Sequence, residues 1–302
     1  MTIVSKGSLK ASMNAQTLKV CKFIWGATPF FAVRKIFLDL FYKLIRGKRI
    51  ICTVEGMKYE LDLSEMIDVC ILLEKFEREV VGAIKIFCHP GWHIVDVGAN
   101  VGGHTTRMAK IAGPEGKVYA FEPTDYAYQK LVRNITLNET TNVHHYQLAL
   151  WNENKKDQVI NFRSSWQTDG TSVSGSTTVS FIRLDDWCHE HGIKRIDMIK
   201  IDVDGHEFNV FEGGRQVLAT HKPLIIMEVG AWHFADPGTD VLALLESLGY
   251  RFWEMRSMRE FESREEIKKL LPEEDHAMNF SINILAATEA PKATPSFSLE
   301  HR

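Results

Sequence analysis

A mostly parallel α/β sheet with helices on both faces is the fold class this sequence predicts, and three observations predict it. Apolar strands alternate with amphipathic helices from residue 93 to residue 255, the rhythm of βαβ units. Val95-Asp96-Val97-Gly98 carries an apolar strand into a glycine-bearing turn, as nucleoside-binding α/β domains begin. Lys117-Val118-Tyr119-Ala120-Phe121-Glu122 then takes a second apolar strand to an acid, twenty residues beyond Gly102.

The elements follow in order. Residues 1–50 hold ten Lys and Arg against one acid, Asp39. From Pro29, the residues Phe30, Phe31, Val33, Phe37, Leu40, Phe41, Leu44 and Ile45 recur at helical spacing, with Arg34, Lys35, Lys43 and Arg46 opposite. Charges at 34, 35 and 39 break this run well before the ~20 apolar residues of a membrane span. Two readings stay open: a basic amphipathic helix lying in a membrane interface through residues 23–46, or an accessory helix docked by its apolar face. Arg49–Val54 and Met57–Leu63 read as a hairpin around Glu55-Gly56, and the periodicity from Ile71 to Phe87 reads as one helix.

The core pattern comes next: strand 93–97, helix 103–112, strand 117–121, helix 125–138, strand 143–149, strand 197–202, helix 206–219, strand 223–229, helix 238–248 and strands 250–255 and 279–286. The last two, joined across a polar excursion, suggest an antiparallel strand at or near the sheet edge. Residues 164–180 are rich in Ser, Thr and Gly and read as a polar loop, either functional or a plain surface connection. The chain divides into an N-terminal extension (1–88), a main domain (89–290) and a polar tail (291–302).

The turn at 96–102 narrows the ligand. Asn100 stands where a dinucleotide loop needs its middle glycine for the pyrophosphate. Asn tolerates left-handed backbone, so the turn suits a nucleoside without phosphates. Glu122 is placed for the ribose hydroxyls, and Asp96 for an ammonium group. S-adenosylmethionine combines a ribose, an amino acid and no phosphate. A nicotinamide-dependent oxidoreductase is disfavoured by Asn100 and by the lack of a Tyr-x-x-x-Lys pair after the fourth strand.

A second cluster is Lys200-Ile201-Asp202-Val203-Asp204-Gly205-His206-Glu207. In open α/β sheets ligands bind beyond the carboxyl ends of the strands, so Asp202 faces the crevice of Asp96 and Gly98. Glu228 ends the fifth strand at the same rim, with His233 in the following loop. Asp204 and Glu207 also read as caps or favourable charges at a helix start, Glu228 as a structural acid paired with Lys200 or an Arg, and His206 as a structural histidine.

Together these blocks resemble the FkbM family of S-adenosylmethionine-dependent methyltransferases. The resemblance rests on Asp96-Val97-Gly98-Ala99-Asn100-Val101-Gly102 with Thr105, on Phe121-Glu122-Pro123 with Leu131, Asn134 and Asn138, on Ile182-Arg183-Leu184-Asp185, and on Ile196 to Glu207 with Glu212-Gly213 and Pro223 to Glu228. It spans roughly residues 90–230. It implies a class I methyltransferase fold, Rossmann-like, with a seven-stranded sheet that includes an antiparallel strand. The activity it implies is O-methylation of a sugar or polyketide hydroxyl. The cofactor-binding set is Asp96, Gly98, Ala99, Asn100, Gly102, Thr105, Glu122, Pro123, Ala149 and Asp202. The catalytic candidates, as bases for the acceptor hydroxyl, are Asp202, His206, Glu228 and His233. Asp204, where a longer acid is usual, and Gly214, where alanine is common, depart from the family pattern.

Composition sets limits on this reading. A chain of 302 residues, 45% hydrophobic and 25% charged, buries a large core. A net charge of -3 gives no electrostatic reason to expect nucleic acid. Five scattered cysteines, Cys21, Cys52, Cys70, Cys88 and Cys188, indicate neither a zinc site nor a disulfide framework. They point to a reducing, cytoplasmic setting, with the inner face of a membrane as a peripheral alternative. A metal bridging Asp202 and Glu228 has no ligand-spacing support, and none is expected. The expected partner is a small-molecule or glycan acceptor. The competing function is a non-catalytic methyltransferase-fold scaffold recruited to a membrane by its basic helix.

Overall fold

The computed structural model describes residues 2–4, 10–11, 47–166, 172–234, 236–271 and 281–292. The basic helix expected over residues 29–46 and the tail beyond 292 lie outside them. Among the described residues no helix is long and apolar enough to cross a membrane.

The chain forms two compact units. The first comprises Met1–Arg78 with 136–139 and 160–177. Its sheet, in the order β2-β1-β3-β4, joins β1 (Thr2–Val4), β2 (Lys10–Ala11), β3 (Arg49–Val54) and β4 (Met57–Asp62). Strands β3 and β4 are the expected hairpin, in register from Arg49 with Asp62 to Val54 with Met57. The stretch read as one helix from Ile71 is two, α1 (Met66–Leu72) and α2 (Arg78–Phe87). Glu74 and Glu77, at φ 58° and 35°, take left-handed backbone that a helix cannot contain.

The second unit, Glu79–Ile135 with 140–159 and 178–302, is built on a seven-stranded sheet. Its strands are β5 (His93–Val97), β6 (Lys117–Phe121), β7 (Val143–Tyr146), β11 (Met198–Ile201), β12 (Leu224–Gly230), β13 (Arg251–Glu254) and β14 (Ser281–Ala287). Their order is β13-β14-β12-β11-β5-β6-β7. Pairing is parallel from β7 to β12, and β14 runs antiparallel between β12 and β13. This is the class I sheet with its single reversed strand.

Alternation along the strands sends Val95, Val97, Ile199, Ile201, Ile225 and Met227 into one buried cluster. Ile94, Met198 and Ile226 enter the other, where α3 (Thr105–Ala112) supplies Met108, Ala109 and Ala112. On that second face the period of two places Asp96, Lys200 and Glu228 at the strand ends. Asp96 stands in register with Lys200. The sheet therefore gathers polar side chains where its order reverses, between β5 and β11.

Two expectations are corrected. The polar segment 164–180 is largely strand: β9 (Lys155–Trp166) and β10 (Ser172–Ile182) form a three-stranded sheet with β8 (Ala149–Leu150). Phe181 and Ile182 pair in parallel with Ala149 and Leu150, and Ser and Thr are compatible with such a ladder even without an apolar face. After α5 (Leu184–Glu190), the helix expected over 206–219 is broken into α6 (Glu207–Glu212) and α7 (Arg215–His221). A Cβ at Gly213 would overlap the Trp151 carbonyl oxygen, so the chain passes there only as glycine.

Candidate active site

Beyond the end of β5 the turn adopts the backbone its residues favour. Gly98, Asn100 and Gly102 have φ of 75°, 49° and 84°, so Asn100 sits in the left-handed region that asparagine tolerates. The Gly98 and Ala99 amides donate to the Phe121 carbonyl at 3.0 and 2.9 Å. Asn100 N–H donates to Glu122 Oε2 at 3.0 Å. From α4 (Asp125–Leu137), Asn134 Nδ2 donates to the Val101 carbonyl at 2.8 Å. Gly98 is also in contact with the next loop, since a Cβ there would overlap the Asp202 carbonyl oxygen.

Asp96 is fully buried. Its Oδ2 accepts from Thr105 Oγ1 at 2.6 Å, while Oδ1 has no hydrogen-bond donor and lies 4.0 Å from Lys200 Nζ. Lys200, also buried, reaches the Gly98 carbonyl at 3.4 Å and Asp202 Oδ2 at 3.7 Å. Glu122 Oε1 accepts from the Thr124 amide at 2.9 Å and the Thr124 hydroxyl at 2.5 Å. Burial pushes the Glu122 carboxyl up from its usual value, against those bonds and the Asn100 N–H. Pro123 follows, half-buried. Ala149 belongs to the smaller sheet, beside Phe181.

The rim after β11 and β12 holds the other candidates. Asp202, Asp204 and Glu228 each offer an oxygen within 4.8 Å of the others. Carboxylates so disposed suit an oxygen-seeking cation of the Mg²⁺ or Ca²⁺ class. Ser281 Oγ donates to Glu228 Oε1. Although Asp204 is exposed, partial desolvation by the surrounding protein and then the neighbouring Glu207 push its carboxyl up. The His206 ring stands 5.0 Å from that of Trp151, which stacks on Phe181 at 5.3 Å. Trp232 lies over Gly205, where a Cβ would come within 3.0 Å of its Cδ1.

His233 is buried and both its ring nitrogens are engaged. Nδ1 accepts from the Gly230 amide at 3.0 Å, so in the neutral ring the proton is on Nε2, which meets Glu207 Oε2 at 2.6 Å. Glu207 Oε1 accepts from the Val203 amide at 3.1 Å.

The structure thus joins Asp96, Gly98, Asn100, Thr105, Glu122 and Asp202 through one turn, and brings Asp202 to Glu228. Sequence reading missed Lys200 as a member of the first group and Asp204 as a member of the second. Asp204 carried a signal, an Asp-x-Asp-Gly spacing at a strand end, but that pattern also starts helices. In the structure no side-chain cap is formed by it: His206 occupies the position before α6.

The Methyltransferase FkbM domain family matches residues 96–252, more than half of the chain. Three relatives bear on function. The 2-O-methyltransferase NoeI of Sinorhizobium fredii is 26% identical over 166 residues, covering 48% of this chain and 65% of that protein. Methyltransferase sdnD of Sordaria araneosa is 28% identical over 192 residues, covering 52% and 73%. The hexuronic acid methyltransferase AglP of Haloferax volcanii is 29% identical over 153 residues, covering 50% and 59%. The chain therefore spans a little under two thirds of NoeI and less of AglP.

Proposed function

The chain belongs to the FkbM family of S-adenosylmethionine-dependent methyltransferases, and on that premise we propose that it methylates a hydroxyl oxygen of a saccharide. The carrying observation is the pairing of two sites on one rim: a turn suited to a cationic nucleoside and, joined to it through Asp202, a group of carboxyl side chains able to take a proton. AglP, by its name a hexuronic acid methyltransferase, supports a sugar as acceptor, and NoeI, by its name a 2-O-methyltransferase, supports oxygen as the methylated atom.

The residues present fit the cofactor. Asp96 keeps one buried oxygen without a donor, and Glu122 has three donors for about four lone-pair positions. Three carboxyl groups, Asp96, Glu122 and Asp202, surround one lysine, a balance that favours a cation over a pyrophosphate. Asp96 and Glu122 would hold the amino acid and ribose ends, with Gly98, Ala99, Asn100, Gly102 and Thr105 shaping the turn and Pro123 and Ala149 at its margin. When bound, S-adenosylmethionine supplies an electrophilic methyl group on a sulfonium.

The protein's own part is to orient the acceptor and remove its proton. A sugar hydroxyl is a weak nucleophile at neutral pH, and a positioned base contributes ~10²–10⁴-fold. His233 is not that base in this arrangement, because Nδ1 already accepts and Nε2 carries the proton. The carboxylates of Asp202, Asp204 and Glu228 are, with His206 beside them to orient the acceptor against Trp151. Desolvation, and after it the charge of Glu207, raises the Asp204 carboxyl and makes it a better base.

Calorimetry with S-adenosylmethionine, followed by S-adenosylhomocysteine release on a panel of hexoses and hexuronates, tests the assignment. Wild type binds the cofactor and turns over a panel member, while Asp96→Ala and Glu122→Ala bind at least about tenfold more weakly. Absence of cofactor binding, or of turnover with any saccharide, overturns it.

A further inference from the structure

Glu207 and His233 form a closed pair beside the carboxylates: both are buried, and every polar atom of their side chains is engaged in one chain of hydrogen bonds. That chain runs from the Val203 amide to Glu207 Oε1, from His233 Nε2 to Glu207 Oε2, and from the Gly230 amide to His233 Nδ1. Val203 belongs to the loop after β11 and Gly230 ends β12. The pair therefore ties two rim segments whose pairing with each other ends at Ile201 and Met227, the second of them held on its far side by β14 through Gly230.

We propose that Glu207 and His233 are positioning residues, a buried buckle that holds these two segments at one separation and with them the acceptor-side carboxylates. The inference rests on the reading above for where the acceptor lies. Asp202 and Asp204 flank Val203 on one side of the buckle, and Glu228 lies two residues before Gly230 on the other. Three carboxyl groups within 4.8 Å repel when ionised, and Lys200, 3.7 Å from Asp202, offsets part of that charge. That repulsion acts across the gap where the two segments no longer pair with each other. The buckle resists because its polarity is fixed end to end: two backbone donors at its ends leave one arrangement of protons between them.

That fixed polarity supplies the test. In His233→Gln the side-chain amide nitrogen can replace Nε2 and still donate to Glu207, so the link survives. His233→Asn can still accept from Gly230 but is too short to reach Glu207, so the link is cut. Glu207→Gln cuts it differently: however its amide is turned, an N–H meets another donor. Hydrogen exchange reads the link without any acceptor. In His233→Asn and Glu207→Gln, exchange at 203–206 and 229–232 rises together by about tenfold, and in His233→Gln it does not. S-adenosylmethionine binding, read by calorimetry, is held in His233→Gln and weakens in the two cut variants by no more than the roughly tenfold rise in exchange, because Asp202 also borders the donor turn. With a saccharide acceptor, kcat falls by about a hundredfold in the two cut variants, with acceptor KM little changed, and is held in His233→Gln. Loosening confined to the substituted segment, or His233→Gln behaving like His233→Asn, overturns the proposal. If wild type methylates no saccharide, the function proposed above fails, while hydrogen exchange still decides the buckle.

Discussion

Glu207 is surrounded by protein, and burial by itself would push its carboxyl up; the hydrogen bond from His233 and the Val203 amide bring it below its usual 4.5. A depressed acid contributes stability above its unfolded value and loses it as pH falls through the folded value. Glu207→Gln is therefore less stable than wild type at pH 7 by about 3 kcal/mol, the scale for breaking one partner of a buried pair. The gap narrows below about pH 4.5. Urea denaturation at pH 7 and pH 4 measures it, and a gap of constant size would contradict the linkage. At Gly98 the demand is steric, since a methyl group meets the Asp202 carbonyl at a φ of 75°. Gly98→Ala should lose at least about 2 kcal/mol and most cofactor affinity, seen in a thermal melt and a binding isotherm. Asn100 and Glu122 were legible in the sequence because their requirements are local, a left-handed residue and an acid at a strand end. Lys200 was not. A lysine within an apolar strand looks like an edge position until the register sets it beside Asp96.

The elements that carry the site were legible by period, and their interruptions were not. Strands β5, β6, β11 and β12 fall within two residues of the expected spans, because apolar runs bounded by turn residues are a strong signal. The breaks at 73–77 and 213–214 depend on what lies opposite, the Trp151 carbonyl in the second case. No periodicity reports that. The strands of the 164–180 segment were hidden by composition, since Ser and Thr mark loops as often as ladders. Helix α4 makes a further contribution to the site: its buried Asn134 holds the turn through the Val101 carbonyl. Asn134→Ala leaves that acceptor unpaired, at a cost of about 1–3 kcal/mol. It should weaken S-adenosylmethionine binding with kcat at saturating cofactor little altered. A fall in kcat with unchanged binding would place Asn134's role elsewhere.

At the scale of the molecule, the two compact units predict separable responses to the cofactor. The turn, Glu122 and Asp202 all belong to the second unit, so a ligand at a hundred times its Kd stabilises that unit by about 2.7 kcal/mol. Differential scanning calorimetry should show two transitions, with only the one from the seven-stranded sheet moving upward on adding S-adenosylmethionine. A common shift of both would show that the units unfold as one. The hairpin, the sheet and the class of ligand were legible from the chain alone, whereas the part that segments 136–139 and 160–177 take in the first unit was not, because they join it from far along the sequence. One consequence belongs to the history of such a molecule. With the Asp202 carbonyl lodged where a Gly98 side chain would be, the loop after β11 is part of the donor turn's own foundation. On the acceptor position proposed above, drift in acceptor choice falls to the other bank, at Trp232. A library randomised there should keep binding S-adenosylmethionine while its preferred sugars diverge, and one randomised at Val203–Gly205 should lose the donor before it finds a new acceptor.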